Sequence, residues 1–399
     1  MALRFLDSFD HYTTVAQKYP VIGAGTIGAA ALRTGAAGIR DIGALGFGAE
    51  LLTALDAQAT WIMGCGNRRN AYGDSFGLMA TNNSGDATYQ AYFVPIATTR
   101  IIKLQLISDV VAESSATLTV NTYEFCELKH VIHGSAGTIE GRINGVVVAT
   151  FSGDTQGTSA TADRVAFGGS NDTDDHDDHY VCDGTGTVNN SYLAGPTSPY
   201  FSVETLLPSG AGTTTEWTPS ASTNVSNVDE AAPDSDTTYN HTATTDAIDL
   251  YAMGNLAGTV VTIAGIQYLA FTRDELAGDT ALKRLVRVAG TNYAGSAYDP
   301  GTSYAYNREI LETSPATSLA WTQVEADAME AGVQYTGVGV LIARVSQVVI
   351  EVGYNADVVA GPGGGGGTGT PATSVSPLRH PWIRFPRRLV AWGHHKEAA

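Results

Sequence analysis

Between residues 123 and 151 the order of side chains leaves little conformational choice. Asn144-Gly145 separates two strand-like segments, residues 138–143 and 146–151. Asn-Gly in that position is the strongest short-range hairpin signal, because both turn residues accept positive φ. Ahead of the hairpin, residues 123–133 alternate in character, with Cys126, Leu128 and Ile132 on one face and Glu127 and Lys129 on the other. A strand of that pattern is expected to bury one face and wet the other. The turn at residues 134–137 joins it to the hairpin, so an antiparallel sheet is the nucleus around which the rest must be arranged.

Further strand-like runs follow the same grammar, short and bounded by Gly, Asn, Ser or acidic clusters. They fall at residues 59–65, 76–80, 89–94, 101–107, 116–120, 163–169, 180–186, 201–208, 258–271, 282–288, 303–311 and 345–352. Short strands at this spacing are what a β-sandwich produces. One helix is expected, at residues 322–330, where Thr322 and Glu325 form a capping box after Trp321. Gly23-x-Gly25-x-x-Gly28 has the letters of a dinucleotide-binding turn, but the crossover helix it requires would contain Gly35, Gly38, Gly43, Gly46 and Gly48. Each costs about 1 kcal/mol inside a helix, so a Gly-rich connection between strands is expected instead.

The chain has 399 residues, more than the roughly 250 to 300 that one core usually serves. The expected fold is all-β, two antiparallel β-sandwiches over residues 1–198 and 199–358, the second with one short helix, then a Gly-rich linker and arm over 359–399. A net charge of −18 opposes phosphate backbones and anionic bilayers, which argues against nucleic-acid partners and membrane insertion. No apolar run approaches the roughly 20 residues that span a bilayer. Asp7 interrupts the apolar stretch that a secretory signal would need, so synthesis and retention in a cytoplasm is the expectation. Cys65, Cys126 and Cys182 read as small apolar core residues, with a Cys126–Cys182 bridge left open.

Nothing in the sequence has the form of reactive machinery: there is no Gly-x-Ser-x-Gly, no His-Glu-x-x-His and no phosphate loop. Glu124, Glu127 and Glu140 are the only carboxylates near a sandwich-glycosidase arrangement, and Glu127 is placed outward by the strand pattern. No enzyme activity is therefore expected. Past the linker, Trp382, Phe385 and Trp392 alternate with Arg384, Arg387 and Arg388, a basic, aromatic segment on an acidic chain. Aromatic residues and Arg dominate interface hot spots, so these six are the expected partner-binding anchors.

Two stretches resemble a known family. The first joins Phe125-x-Glu127-x-Lys129, His133-Gly-Ser-Ala-Gly-Thr-Ile-Glu140, Asn144-Gly-Val-Val-Val148 and Asp177-Asp178-x-Tyr180-Val-Cys-Asp-Gly-Thr-Gly186. The second includes Val203-Glu-Thr-Leu-Leu-Pro208, Thr215-Glu-Trp-Thr-Pro219, Ser303-Tyr-Ala-Tyr306 and Ala320-Trp321-Thr322. Together they resemble bacteriophage virion proteins that carry a laminin-G-like, concanavalin-type jelly roll followed by a second β domain. The resemblance implies a structural component of a phage particle, tail-associated (tail, tail tip or fibre), assembled in the host cytoplasm and carried in the virion. Its partners would be other copies of itself and other virion proteins. A host-polysaccharide-binding adhesin and a capsid decoration protein are the rival classes.

Two sets of site residues follow. Laminin-G-like folds often hold calcium on a loop rim, and Asp174, Asp175, Asp177 and Asp178 supply suitable oxygen ligands. The bland alternative is a solvated acidic loop over residues 171–179, with Asp177 and Asp178 satisfying backbone donors. For an adhesin, Trp217, Tyr293 and Trp321 are the aromatics expected to stack on sugars, although each type is more often core.

Overall fold

The computed structural model describes residues 2–19, 21–22, 26–40, 50–52, 55–69, 75–81, 90–93, 102–106, 109–114, 116, 118–156, 159–170, 174–195, 201–276, 281–337 and 342–356. These residues form antiparallel sheets almost throughout. An eight-stranded sheet and a five-stranded sheet draw their strands from Leu3–Asp7 to Asp174–Asp183, and Ile102–Leu106 pairs with Asp109–Ser114 beside them. A six-stranded and a five-stranded sheet are built from strands between Phe201–Leu206 and Ala343–Ala356. Among the described residues no helix is long and apolar enough to cross a membrane.

The hairpin forms as its turn chemistry requires. Gly137–Ile143 pairs with Val146–Gly153, and Asn144 and Gly145 take φ of 49° and 73°. Cys126, Leu128 and Ile132 lie in the core between the sheets, with Trp61, Met63, Ile139 and Phe167. All three cysteines are free and buried, and Cys126 stands opposite Cys65 in the ladder rather than meeting Cys182. The capping box at Thr322 and Glu325 is present, on a helix shorter than expected, Gln323–Asp327. Val21–Ile22 and Thr26–Gly28 are strands flanking the Gly-rich motif, whose Gly23 and Gly25 lie outside the described residues. Residues 118–120 are not a strand; Asp109–Ser114, whose acidic ends hid it, takes that role.

The acidic run overturns the loop expectation. Asp174–Asp183, sequence DDHDDHYVCD, is a strand whose every residue is buried, lying between Thr60–Arg69 on one side and Gly38–Arg40 and Leu3–Asp7 on the other. Buried carboxylates need partners, because an unpaired one costs several kcal/mol in desolvation. Arginines from neighbouring segments supply them. Asp175 binds Arg40 Nε at 2.6 Å and Arg68 Nε at 2.9 Å. Asp178 binds Arg33 and accepts from Thr34 Oγ1 at 2.7 Å, and Asp183 binds Arg4. The register slips between Asp177, opposite Gly66, and Tyr180, opposite Gly64, so Asp178 and His179 share the place of one residue. Asp178 has φ 57° at this bulge. The slip lets Asp177 accept from the backbone N–H groups of Arg33 and Thr34, at 2.8 and 3.0 Å.

A second departure concerns the outer face of the eight-stranded sheet. Leu3, Leu6, Ile62, Phe125, Tyr180 and Cys182 meet Leu193, Phe201, Val203 and Ile310 in a separate apolar cluster. The two sets of sheets thereby close on each other, and Glu127, expected in water, is fully buried. Polar groups complete the join. Gln267 pairs with the backbone of Leu6 in both directions, at 3.2 and 2.8 Å. Lys18 Nζ lies 2.8 Å from Asp7 and 2.7 Å from Glu351, and Glu312 accepts from the N–H groups of Ala2 and Leu3.

Arg33 is 9% exposed and binds both Asp178 and the carbonyl of Phe201. Arg33→Ala leaves the Asp178 carboxylate buried without its cation, and the expected loss in unfolding free energy is about 3–5 kcal/mol, measured by chemical denaturation with circular dichroism.

Candidate functional site

The second set of sheets covers only part of the outer face it packs on. On Gly137–Ile143 the residues Ile139 and Ile143 point into the core, which puts Thr138, Glu140 and Arg142 on the outer face by simple alternation. The ladder sets Lys129 opposite Glu140 and Glu127 opposite Arg142, and on the other side Thr150 opposite Glu140 and Ser152 opposite Thr138. All of these side chains except Glu127 floor a groove of about 450 Å³, with Ser191 and Tyr192 as one wall.

The wall is placed by what lies beneath it. Tyr180 donates its O–H to Glu127, while the N–H groups of Leu193 and Ala194 bond Tyr180 Oη at 3.3 Å and Glu127 Oε1 at 3.0 Å. Gly64 permits this, since a Cβ there would stand 2.4 Å from the Tyr180 ring. The loop so anchored lays Tyr192 against the sheet, its hydroxyl donating to the Glu140 carbonyl at 2.8 Å. The Arg142 guanidinium lies 3.8 Å from the centroid of the Tyr192 ring and binds Glu140 Oε1 at 2.9 Å. Arg142 is thus held over an aromatic ring and against a carboxylate, with hydroxyl groups of Thr138, Thr150 and Ser152 exposed beside it.

Burial pushes the Glu127 carboxyl up to about 7, against the lowering effect of the Tyr180 hydrogen bond. Its protonated form is the one the site favours, and a carboxyl sealed under Ala194 is not exposed to attack a ligand in the groove.

The sequence-derived candidates are scattered. Trp217 and Trp321 are core residues, 3% and 4% exposed, their indole N–H groups bonding the carbonyls of Ala247 and Leu311. Neither offers a face to a sugar, which corrects the stacking expectation for both. Tyr293 is half-buried and lines a different cavity, of about 340 Å³, alongside Arg284 and Glu309, which bind each other at 2.9 Å. Trp382, Arg384, Phe385, Arg387, Arg388 and Trp392 lie outside the described residues.

The calcium expectation for Asp174, Asp175, Asp177 and Asp178 does not fit this geometry. The oxygens of Asp175, Asp177 and Asp178 are turned on guanidinium, amide and hydroxyl donors, and strand alternation with the bulge spreads them over separate partners. Among the described residues no group of three or more His, Cys, Asp or Glu side chains is gathered to hold a metal. Residues 171–173 of the expected loop lie outside the described residues.

No protein-family model and no curated protein matches the chain. Among solved structures it is similar to the carbohydrate-binding module CBM66 from Bacillus subtilis, with 14% identity over 39% of this chain and 90% of that one, TM-score 0.26. It is also similar to domain 4 of AbnA, an extracellular arabinanase from Geobacillus stearothermophilus in complex with arabinotriose, with 13% identity over 47% and 95%, TM-score 0.29. A third likeness, to infectious bursal disease virus Gt strain, has 10% identity over 76% and 73%, TM-score 0.24. The all-β architecture stands on the strand pairing described above.

Glu127→Gln fixes the neutral form at all pH values. Above the unfolded value of 4.5 the wild-type carboxyl is held protonated only by burial, so its relative stability falls as pH rises from 4.5 to about 7. The variant is expected to gain on wild type, by on the order of 2–3 kcal/mol between pH 5 and pH 8. Paired denaturant titrations at the two pH values measure the gain.

Proposed function

We propose that this chain is a non-catalytic structural protein of a bacteriophage particle, tail-associated, which holds a host-surface polysaccharide in the groove beside Tyr192. The observation that carries the binding part is the groove itself. It joins a flat guanidinium fixed on an aromatic ring to exposed hydroxyl groups, on strands that cannot shift without breaking the ladder. Hydroxyl and guanidinium donors on a rigid floor suit the dense hydrogen bonding of sugars.

The virion part is supported by the resemblance of residues 125–186 and 203–322 to phage structural proteins, and by the composition of the arm. Residues 361–399 carry Arg379, Arg384, Arg387, Arg388 and Lys396 against Glu397, while the remainder of the chain is strongly acidic. Such an arm complements the surface of a neighbouring copy, and repeated weak docking gains strength through multivalency.

Arg142→Ala is expected to weaken binding to a responsive polysaccharide at least about tenfold, with an unchanged melting temperature; calorimetry against a panel of bacterial surface polysaccharides measures it. A panel in which none binds the wild-type chain removes the saccharide reading. Removing residues 359–399 is expected to leave the strand signal in circular dichroism intact while abolishing incorporation into particles, scored by gel analysis of purified virions; normal incorporation defeats the docking role.

A further inference from the structure

We propose that the groove selects an anionic saccharide and that the Lys129 ammonium is the group that recognises its carboxylate or sulfate; this rests on the groove being a saccharide site. Two cations and one half-buried carboxylate line the groove: Lys129, Arg142 and Glu140. The ladder sets Glu140 opposite Lys129, yet Glu140 turns along its own strand to Arg142, two residues on, at 2.9 Å. Among the described residues no carboxylate lies within ion-pair distance of Lys129. The next carboxyl on its strand, Glu127, is sealed beneath Ala194 and bonded to Tyr180. The floor of the groove therefore carries an excess positive charge in a chain whose net charge is −18.

Half-buried Lys129, without a carboxylate partner, contrasts with Arg4, Arg33, Arg40 and Arg68, each of which is paired with an aspartate of Asp174–Asp183. The long-range field of the acidic chain does not forbid an anion there. At 0.15 M salt the screening length is about 8 Å, so a sugar acid inside the groove responds chiefly to Lys129 and Arg142. The hydroxyl groups of Thr138, Thr150 and Ser152 serve any sugar; the ammonium adds the preference for a charged one.

The test uses the full chain in calorimetric titrations with polygalacturonate, dextran sulfate and dextran of matched length at 0.15 M salt. An anionic polymer is expected to bind at least about tenfold tighter than dextran, as one charge-assisted hydrogen bond supplies. Lys129→Gln is expected to erase that preference by weakening the anionic polymer far more than dextran, and Lys129→Arg to restore it. Which polyanion wins assigns the ligand to the carboxylate or the sulfate class. Equal or tighter binding of dextran, or an anion preference that Lys129→Gln leaves intact, overturns the proposal while the saccharide reading stands. Failure of all three polymers and of the wider polysaccharide panel overturns both.

Discussion

The pairing of buried carboxylates with guanidinium groups along Asp174–Asp183 is the constraint on which the arrangement of the first sheets depends. A strand with no solvent on either face ordinarily consists of aliphatic residues. Here Asp175, Asp178 and Asp183 occupy such a strand, and each is matched by an arginine from a different segment: Arg40 and Arg68, Arg33, and Arg4. Burying an ion pair adds little to stability by itself, whereas removing one partner is severe. What the pairs specify is order. A one-residue slip of this strand would turn charged groups toward Phe167 and Met63 and strand the arginines, so one register is far below the others.

That arrangement also decides what is left uncovered. Because the second set of sheets packs on Ile62, Phe125 and Tyr180, the strands beyond them, Gly137–Ile143 and Val146–Gly153, keep part of their outer face in water. The same loop that caps Glu127 supplies Tyr192, so the join between the sandwiches and the wall of the groove are one piece of chain. Binding chemistry and domain packing are thus not separable here.

Much of the fold was legible because it is written in local rules. The Asn144-Gly145 turn, the capping box at Thr322, the alternation around Cys126 and Leu128, and strand Leu282–Val288 follow from turn chemistry and period alone. The failures share a cause, which is burial of both faces. Asp174–His179 looks like a solvated loop when its composition is judged without the distant arginines, and Glu127 looks wet when the second layer is unknown. Alternation along Gly137–Ile143 already set Thr138, Glu140 and Arg142 apart from the core, so half of the groove was present in the sequence. Nothing local pointed to Tyr192, whose position depends on a loop anchored to Glu127 and Tyr180. Trp217 and Trp321 misled because indole rings serve cores more often than surfaces.

The side-chain amide of Gln267, bonded to both backbone groups of Leu6, has a consequence for the order of events during synthesis. Leu3–Asp7 is made well before the segments that complete it, since it pairs with Asp174–Asp183 and is finished by Gln267, Glu312 and Glu351. Contacts so distant along the chain form late and slowly. This strand is therefore completed only after Glu351 has been made, and its docking is a late step of folding rather than an early one.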